Sequence, residues 1–174
     1  MLVACSRPVE PPIVKTPAPV QKRVEAPPVP IRTDRTHYVL TNGPQGPEAT
    51  IVATLHAPPD RTLYILNCNR ASSATLQRKV GEEWVYAWTI AMNACVSPPI
   101  IVPAGGEHTA QIYLHERAGG VSYPPGAKML ESGTYRVVWT GVLTAFDANV
   151  PGNGPELPLE QRVSAPITIE VPRT

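Results

Sequence analysis

Three cysteines carry the most specific chemistry that this sequence offers. They stand at Cys5, Cys68 and Cys95 in a chain of 174 residues. Two cysteines inside a domain and one near the N-terminus indicate one disulfide bond and a separate role for Cys5. A metal site is the poorer interpretation of Cys68 and Cys95, because zinc takes four ligands and no histidine is suitably spaced.

The four histidines form no catalytic pattern. They are His37, His56, His108 and His115, and no His-x-x-x-His, Gly-x-Ser-x-Gly or phosphate-loop spacing occurs in the chain. We expect these side chains at surface positions of strands. The sequence therefore predicts no catalytic residue and no cofactor.

Two long segments between predicted strands could contain binding residues. One holds the oxygen-rich set Asp147, Asn149, Asn153 and Glu156, and the other holds Tyr123 within Tyr-Pro-Pro-Gly. Calcium prefers oxygen ligands, but the spacing is not that of an EF-hand, and Asp and Asn beside Gly and Pro are typical of ordinary turns. We predict no metal site and keep Tyr123 and Asp147 as weak binding candidates.

Alternating aromatic residues occupy one short stretch. Trp84, Tyr86 and Trp88 have the spacing that puts all three rings on one face of a strand. Such a face could be a platform for a sugar or a peptide, or it could be part of a hydrophobic core. The core is the favoured interpretation, because aromatic residues make up only 6% of the chain, and Val85 and Ala87 would then face outward.

Strands must position all of these side chains, because apolar and polar residues alternate with a period of two beyond Thr36 and no segment has helical periodicity. A Gly81-Glu82 pair predicts a tight hairpin between two of the strands. We predict an all-β fold, a single immunoglobulin-like antiparallel β-sandwich of about eight or nine strands over residues 36–174. The predicted strands are residues 36–41, 49–56, 61–67, 75–80, 83–89, 100–102, 107–114, 133–146 and 164–171.

The order of these strands places two cysteines at the same end of the sandwich. Cys68 follows the third predicted strand, and Cys95 lies beyond the end of the fifth, so antiparallel succession brings them to one end. A Cys68–Cys95 bond would close a loop of about 28 residues and contribute about 3–4 kcal/mol. It would persist in an oxidising compartment.

Residues 1–35 differ in composition from the rest of the chain. Eight of the 22 prolines lie between Ser6 and Pro30, and each proline favours an extended conformation of the residue before it. We predict a disordered, semi-rigid tether of polyproline type, extending about 3.1 Å per residue. The net charge of +1 gives no indication of nucleic-acid binding.

The first residues resemble the lipobox of bacterial lipoproteins. Leu2-Val3-Ala4-Cys5 places a small residue before a cysteine, and Ser6 and the proline-rich stretch follow. The resemblance implies that Cys5 is acylated, that acyl chains anchor the chain to a membrane, and that Ser6 is compatible with outer-membrane sorting. Only four residues precede Cys5, so we expect the gene to extend upstream with a basic and an apolar segment.

A second resemblance concerns the fold. Glu131-Ser-Gly-Thr-Tyr135-Arg-Val137 resembles the start of strand F in immunoglobulin-like domains. It implies a tyrosine corner, in which the Tyr135 hydroxyl bonds to backbone a few residues upstream. Val137 stands where an antibody-type domain has its second cysteine, so the inter-sheet disulfide of that type is absent.

Three segments are similar to a broad group of bacterial immunoglobulin-like modules, one of which is an intracellular proteinase inhibitor. They are the tryptophan-containing stretch 81–88, Pro-Ala-Gly-Gly-Glu at 103–107 and Gly-Thr-Tyr at 133–135. This similarity supports the fold more than any activity.

Taken together, these features predict an extracytoplasmic, lipid-anchored interaction or structural module of the cell envelope. It would face the periplasm or lie at the outer membrane, or otherwise be secreted. It would bind a protein or an envelope polymer and not act as an enzyme. The alternative is a proteinase inhibitor that presents an exposed loop. An enzyme that needs a partner subunit is the least favoured hypothesis.

Overall fold

The computed structural model describes residues 30–43, 46–68, 71–72, 74–89, 97–115, 130–149 and 154–172. These residues contain fourteen β-strands, one short 3-10 turn (Leu159–Gln161) and no α-helix. In chain order the strands are β1 (Ile31–Thr33), β2 (His37–Val39), β3 (Thr41–Gly43), β4 (Gly46–His56), β5 (Leu63–Ile65), β6 (Asn67–Cys68), β7 (Ala71–Ser72), β8 (Ala74–Val80), β9 (Glu83–Thr89), β10 (Ile100–Val102), β11 (Glu107–His115), β12 (Gly133–Trp139), β13 (Val142–Leu143) and β14 (Ile167–Glu170).

Alternation of apolar and polar residues produces the long strands. In β4, the side chains of Ile51, Ala53 and Leu55 are fully buried, whereas those between them are half-exposed. This is the pattern of a strand with one face on a core. Within the described residues no helix is long and apolar enough to cross a membrane.

Two main sheets form the sandwich. One has the order β1-β4-β11, with β3 also paired to β4, and the other has the order β2-β14-β12-β8-β9. A three-stranded sheet, β10-β5-β13, and the β6-β7 pair complete the described strands. A continuous core joins Ile51, Leu55 and Ile112 of the first sheet to Val137 and Ile169 of the second. The predicted all-β sandwich is confirmed.

The strand that carries Tyr135, β12, is an inner strand of the five-stranded sheet and lies between β14 and β8. Strand F of an immunoglobulin-like domain is also an inner strand of its sheet. All described ladders are antiparallel except that between β14 and β2, where Thr168 pairs with His37. The N-terminal residues therefore contribute β1 to one sheet and β2 to the other.

The folded part of the chain begins earlier than residue 36. Ile31 is 1% exposed, and β1 pairs with β4 in the register Ile31–Leu55. The boundary predicted at residue 35 is therefore wrong by at least five residues. The boundary was predicted from composition, and Ile31 directly follows the last proline of the proline-rich stretch, so this strand was included in the tether.

The segment predicted as one strand over residues 133–146 divides into β12 and β13. Gly141, between them, has a φ of +66°, a left-handed conformation that glycine adopts without steric cost. Its carbonyl accepts a hydrogen bond from the Leu66 N–H at 2.8 Å. This turn moves β13 out of the five-stranded sheet and onto β5.

Candidate binding surfaces

A β-bulge divides the three aromatic side chains of β9 between the two faces of its sheet. Leu76 pairs with Trp88, but the next residue, Gln77, pairs with Tyr86, so Ala87 is an extra residue without a partner on β8. Trp88 therefore faces the core and is 3% exposed, whereas Tyr86 is 49% exposed. The prediction that all three rings share one core face is wrong, because a bulge reverses the alternation of a strand.

Trp84 lies on the same outer face as Tyr86, and a cation from β12 covers it. The Arg136 guanidinium carbon is 4.7 Å from the centroid of the Trp84 ring, a cation–π contact. Arg136 Nε donates a hydrogen bond of 2.8 Å to Gln77 Oε1, which holds the guanidinium over β8. We call Gln77, Trp84, Tyr86 and Arg136 the aromatic face.

The aromatic face presents several hydrogen-bond donors to solvent. Within the described part of the chain, Trp84 Nε1, the Tyr86 hydroxyl and the two terminal nitrogens of Arg136 have no hydrogen-bond partner. Partial burial lowers the pKa of Arg136, and the group stays protonated near neutral pH. This surface therefore combines aromatic rings, donors and a positive charge.

Sequence reasoning missed the role of Arg136. The signal was present, because Arg136 alternates with Tyr135 and Val137, two side chains that belong to the core. A strand with a buried Tyr135 must point Arg136 to the other face. The meeting of Arg136 with Trp84 was not predictable, because it depends on the bulge.

Tyr135 forms the hydrogen bond of a tyrosine corner. Its hydroxyl donates to the Glu131 carbonyl at 2.6 Å and accepts from the Glu131 N–H at 3.3 Å. Burial raises the pKa of Tyr135. Arg78 forms an ion pair with the Glu131 carboxylate and donates to the Ser132 carbonyl at 3.1 Å. This cluster fixes the entry of the chain into β12.

A cleft of about 460 Å³ opens beside β2. Tyr38, one of its wall residues, donates a hydrogen bond of 2.7 Å to Asp34 Oδ1, which also accepts one of 2.9 Å from the Val52 N–H. Burial and the Asp34 hydrogen bond raise the pKa of Tyr38 to about 12. The walls carry both a cation and a carboxylate, so they do not select the charge of a ligand. They comprise Arg35, Tyr38, Val39, Thr41, Glu48, Ala49, Thr50, Tyr113 and Leu114.

The described histidines lie apart from one another. His37 Nε2 is 3.2 Å from Glu170 Oε1 on the outer side of one sheet, and His56 Nδ1 is 3.0 Å from Glu107 Oε1 on the other. The position of His108 contradicts the expectation that the histidine side chains lie at the surface of strands. It is paired with Leu55, lies 5.6 Å from the Trp139 ring centroid, and burial lowers its pKa.

The oxygen-rich loop forms local turns where it is described. Asp147 Oδ1 accepts from the Asn149 N–H at 2.9 Å and from Asn149 Nδ2 at 3.0 Å. Glu156 accepts from the Gly141 N–H at 3.2 Å and pairs with Arg162 at 2.8 Å. Among described residues, no three His, Cys, Asp or Glu side chains are grouped to hold a metal ion. Asn153 lies outside them.

Cys68 is disulfide-bonded, and its partner lies outside the described residues. The two other cysteines, Cys5 and Cys95, and the weak candidate Tyr123 all lie outside those residues as well. The pairing of Cys68 with Cys95 and the acylation of Cys5 therefore stay predictions.

Comparison with known proteins identifies no family for this chain. No protein-family model and no curated protein sequence matches it. A solved structure that resembles it is a β-glucosidase from Listeria innocua in complex with gluconolactone, at 15% identity and a TM-score of 0.34. The match covers 80% of this chain and 16% of the glucosidase chain. A similarity this low transfers neither fold nor activity to this chain.

Proposed function

We propose that this chain is a lipid-anchored, extracytoplasmic module that binds a protein or a polymer of the cell envelope through its aromatic face. The observation that carries the proposal is the solvent exposure of Tyr86 beside Trp84 and Arg136. Exposed Tyr, Trp and Arg side chains are enriched where proteins bind their partners. No other described surface combines two aromatic rings with a cation that has no carboxylate partner.

Two features support the extracytoplasmic location. The Leu2-Val3-Ala4-Cys5 sequence and the prolines after it resemble the anchor and tether of a lipoprotein. Cys68 is disulfide-bonded, and structural disulfides persist in oxidising compartments rather than in the cytosol. A diacyl or triacyl group would supply stable attachment, because more than one acyl chain is needed for it.

The proteinase-inhibitor alternative has less support. The described part of the long segment after β13 is fastened to the sandwich rather than extended from it. Leu157 is 1% exposed, and its N–H donates to the Val142 carbonyl at 2.7 Å. The described part of this segment, residues 144–149 and 154–162, therefore offers no extended loop to a protease, and residues 116–129 of the other long segment lie outside the described residues.

Membrane partitioning tests the location. We expect the chain, expressed with its upstream sequence, to enter the detergent phase and to lose this property when Cys5 is replaced by Ala. A Cys5→Ala variant that stays in the detergent phase would overturn the anchor, as would an open reading frame without an upstream signal segment.

Co-sedimentation with insoluble cell-envelope material tests the binding face. We expect the wild-type domain to sediment with the material and the Tyr86→Ala variant to remain in the supernatant. Ile101→Ala is the matched control, because Ile101 is also an exposed apolar strand residue, at 61%, and lies in a different sheet. Equal sedimentation of all three proteins would remove the aromatic face from the proposal.

A further inference from the structure

We propose that the ligand of the aromatic face is an acidic polysaccharide of the cell envelope, a sugar chain that carries carboxylate groups. This inference rests on the proposed function and names the chemical class of its partner. It follows from the arrangement of Trp84, Tyr86 and Arg136, from the charges around them, and from the bulge at Ala87.

The spacing of Trp84 and Tyr86 along β9 suits a polymer of sugar rings. Trp84 and Tyr86 are two residues apart on one strand face, so their Cα atoms are about 6.5–7 Å apart. The face of the Tyr86 ring carries partial negative charge, and the C–H bonds on the flat side of a sugar ring direct partial positive charge towards it, whereas the Trp84 face towards Arg136 is covered by the guanidinium. Trp84 Nε1 and the Tyr86 hydroxyl can bond the hydroxyl groups at the sugar's edge.

The charge on this surface selects an anion. Lys79, on the same face as Trp84, is paired with Glu82 at 3.4 Å, whereas Arg78 points to the opposite face and pairs with Glu131. Arg136 contacts Gln77 and Trp84 but, within the described part of the chain, no carboxylate. Its terminal nitrogens form a planar fork that matches the two oxygens of a carboxylate. A sugar carboxylate is therefore the complementary group.

Addition of a peptide strand is less compatible with this surface. Strand β9 is the last strand of its sheet among the described residues, so its backbone could in principle pair with a peptide. The bulge at Ala87 interrupts the regular ladder that such pairing needs, and bulges and charges are features that protect sheet edges. The free groups lie on the sheet face, where a sugar chain would stack.

Binding of a polyuronic acid to the full oxidised chain tests the proposal, with the carboxyl-reduced, neutral form of the same polymer as the matched ligand. Affinity electrophoresis or calorimetry gives the dissociation constants. We expect the acidic chain to bind at least about tenfold more tightly than the neutral one, and added salt to weaken that binding. Equal binding of both polymers would overturn the selection of an acidic sugar.

Variants separate the contributions of the ring and the charge. Tyr86→Ala should weaken binding by about tenfold or more, as expected for loss of a stacking ring, and Ile101→Ala should leave it unchanged. Arg136→Gln should remove the preference for the acidic polymer, whereas Arg136→Lys, which keeps the charge without the fork, should retain part of it. Urea midpoints of all variants establish that each is folded.

The outcomes also separate this inference from the proposed function. If neither polymer binds but envelope co-sedimentation still depends on Tyr86, the partner is a protein and the acidic-sugar inference is wrong while the binding face stands. If co-sedimentation does not depend on Tyr86, the proposed function fails together with the inference. An Arg136→Gln variant that keeps the acidic preference would contradict the role of the guanidinium.

Discussion

The hydroxyl of Tyr135 joins the start of β12 to the residue four positions earlier through the 2.6 Å bond to Glu131. We predict that Tyr135→Phe lowers the free energy of unfolding by about 1–2 kcal/mol, because the ring still fills its buried site while the Glu131 backbone loses its partner. Urea denaturation measures the change.

Tyr64→Phe is the control for this prediction. The Tyr64 ring stacks on Phe146 at 5.9 Å, and its hydroxyl has no hydrogen-bond partner among the described residues. Its loss should change the free energy of unfolding by less than about 0.5 kcal/mol. Equal effects of the two substitutions would show that the corner contributes nothing beyond ring packing.

His108 should make the fold sensitive to acid. Burial lowers its pKa below the reference value of 6.5, so the unfolded chain takes up a proton as the pH falls through 6.5 while the folded chain resists it. The contribution of this group to stability is therefore complete above the unfolded pKa and is lost as the pH falls. We predict that His108→Phe, which retains a ring beside Trp139, reduces the loss of stability on acidification.

Urea midpoints at about pH 8 and about pH 5.5 test this expectation, because the two values bracket the ordinary histidine pKa. The variant should lose less stability between them than the wild-type chain does. A pH dependence that is the same for both proteins would mean that His108 is not the group responsible.

At the scale of elements, β1 belongs to the folded domain. A chain that starts at Thr36 lacks Ile31, whose side chain is 1% exposed, and Asp34, which bonds Tyr38 and Val52. Full burial of an isoleucine contributes about 1.5–3 kcal/mol, and the hydrogen bonds add about 1 kcal/mol each. We predict that this chain is less stable by about 3 kcal/mol or more than one that starts at Pro30.

Urea denaturation of the two truncated chains decides the matter. The Ile31→Ala variant of the longer chain should show part of the same loss, which separates the side chain from the strand pairing. Equal midpoints for the two truncated chains would place the start of the domain at residue 36 after all.

Period-two alternation predicted most strands but could not predict two features that shape the surface. It identified β4, β10, β11 and the β8-β9 hairpin, because each has one face on the core or a tight turn at its end. It failed at β1, where three residues are too short to show a period beside prolines. It also failed at Ala87, because a bulge is set by the pairing of two strands and not by either strand alone.

At the scale of the whole molecule, the three cysteines connect the fold with its location. We predict that protein recovered from the cell envelope contains a Cys68–Cys95 bond, and that its reduction lowers stability by about 3–4 kcal/mol, the value for a loop of about 28 residues. Alkylation without reductant followed by peptide mass spectrometry should leave both residues unlabelled and find their peptides linked.

A bond between Cys68 and Cys5 would have a different consequence. Because the chain has only three cysteines, that pairing would consume the thiol that acylation requires, and the lipid anchor would be excluded. The sequence could indicate whether Cys68 pairs with Cys95 or with Cys5, but it could not decide between them. Its pattern restricts which residues are strands, whereas pairing and acylation depend on the compartment that the chain enters.

The division of β1 and β2 between two sheets has a mechanical consequence. In the proposed arrangement, a membrane holds one end of the chain and a polymer holds β9, so tension enters the sandwich at Pro30. It passes to β4 through β1 and to β14 through β2, and then across β12 and β8 to β9. The pull is therefore shared between both layers, and neither strand can detach without drawing Ile31 or Tyr38 out of the core. Within each sheet, hydrogen-bonded ladders connect the strands along this path, so backbone hydrogen bonds carry the load from Pro30 to β9.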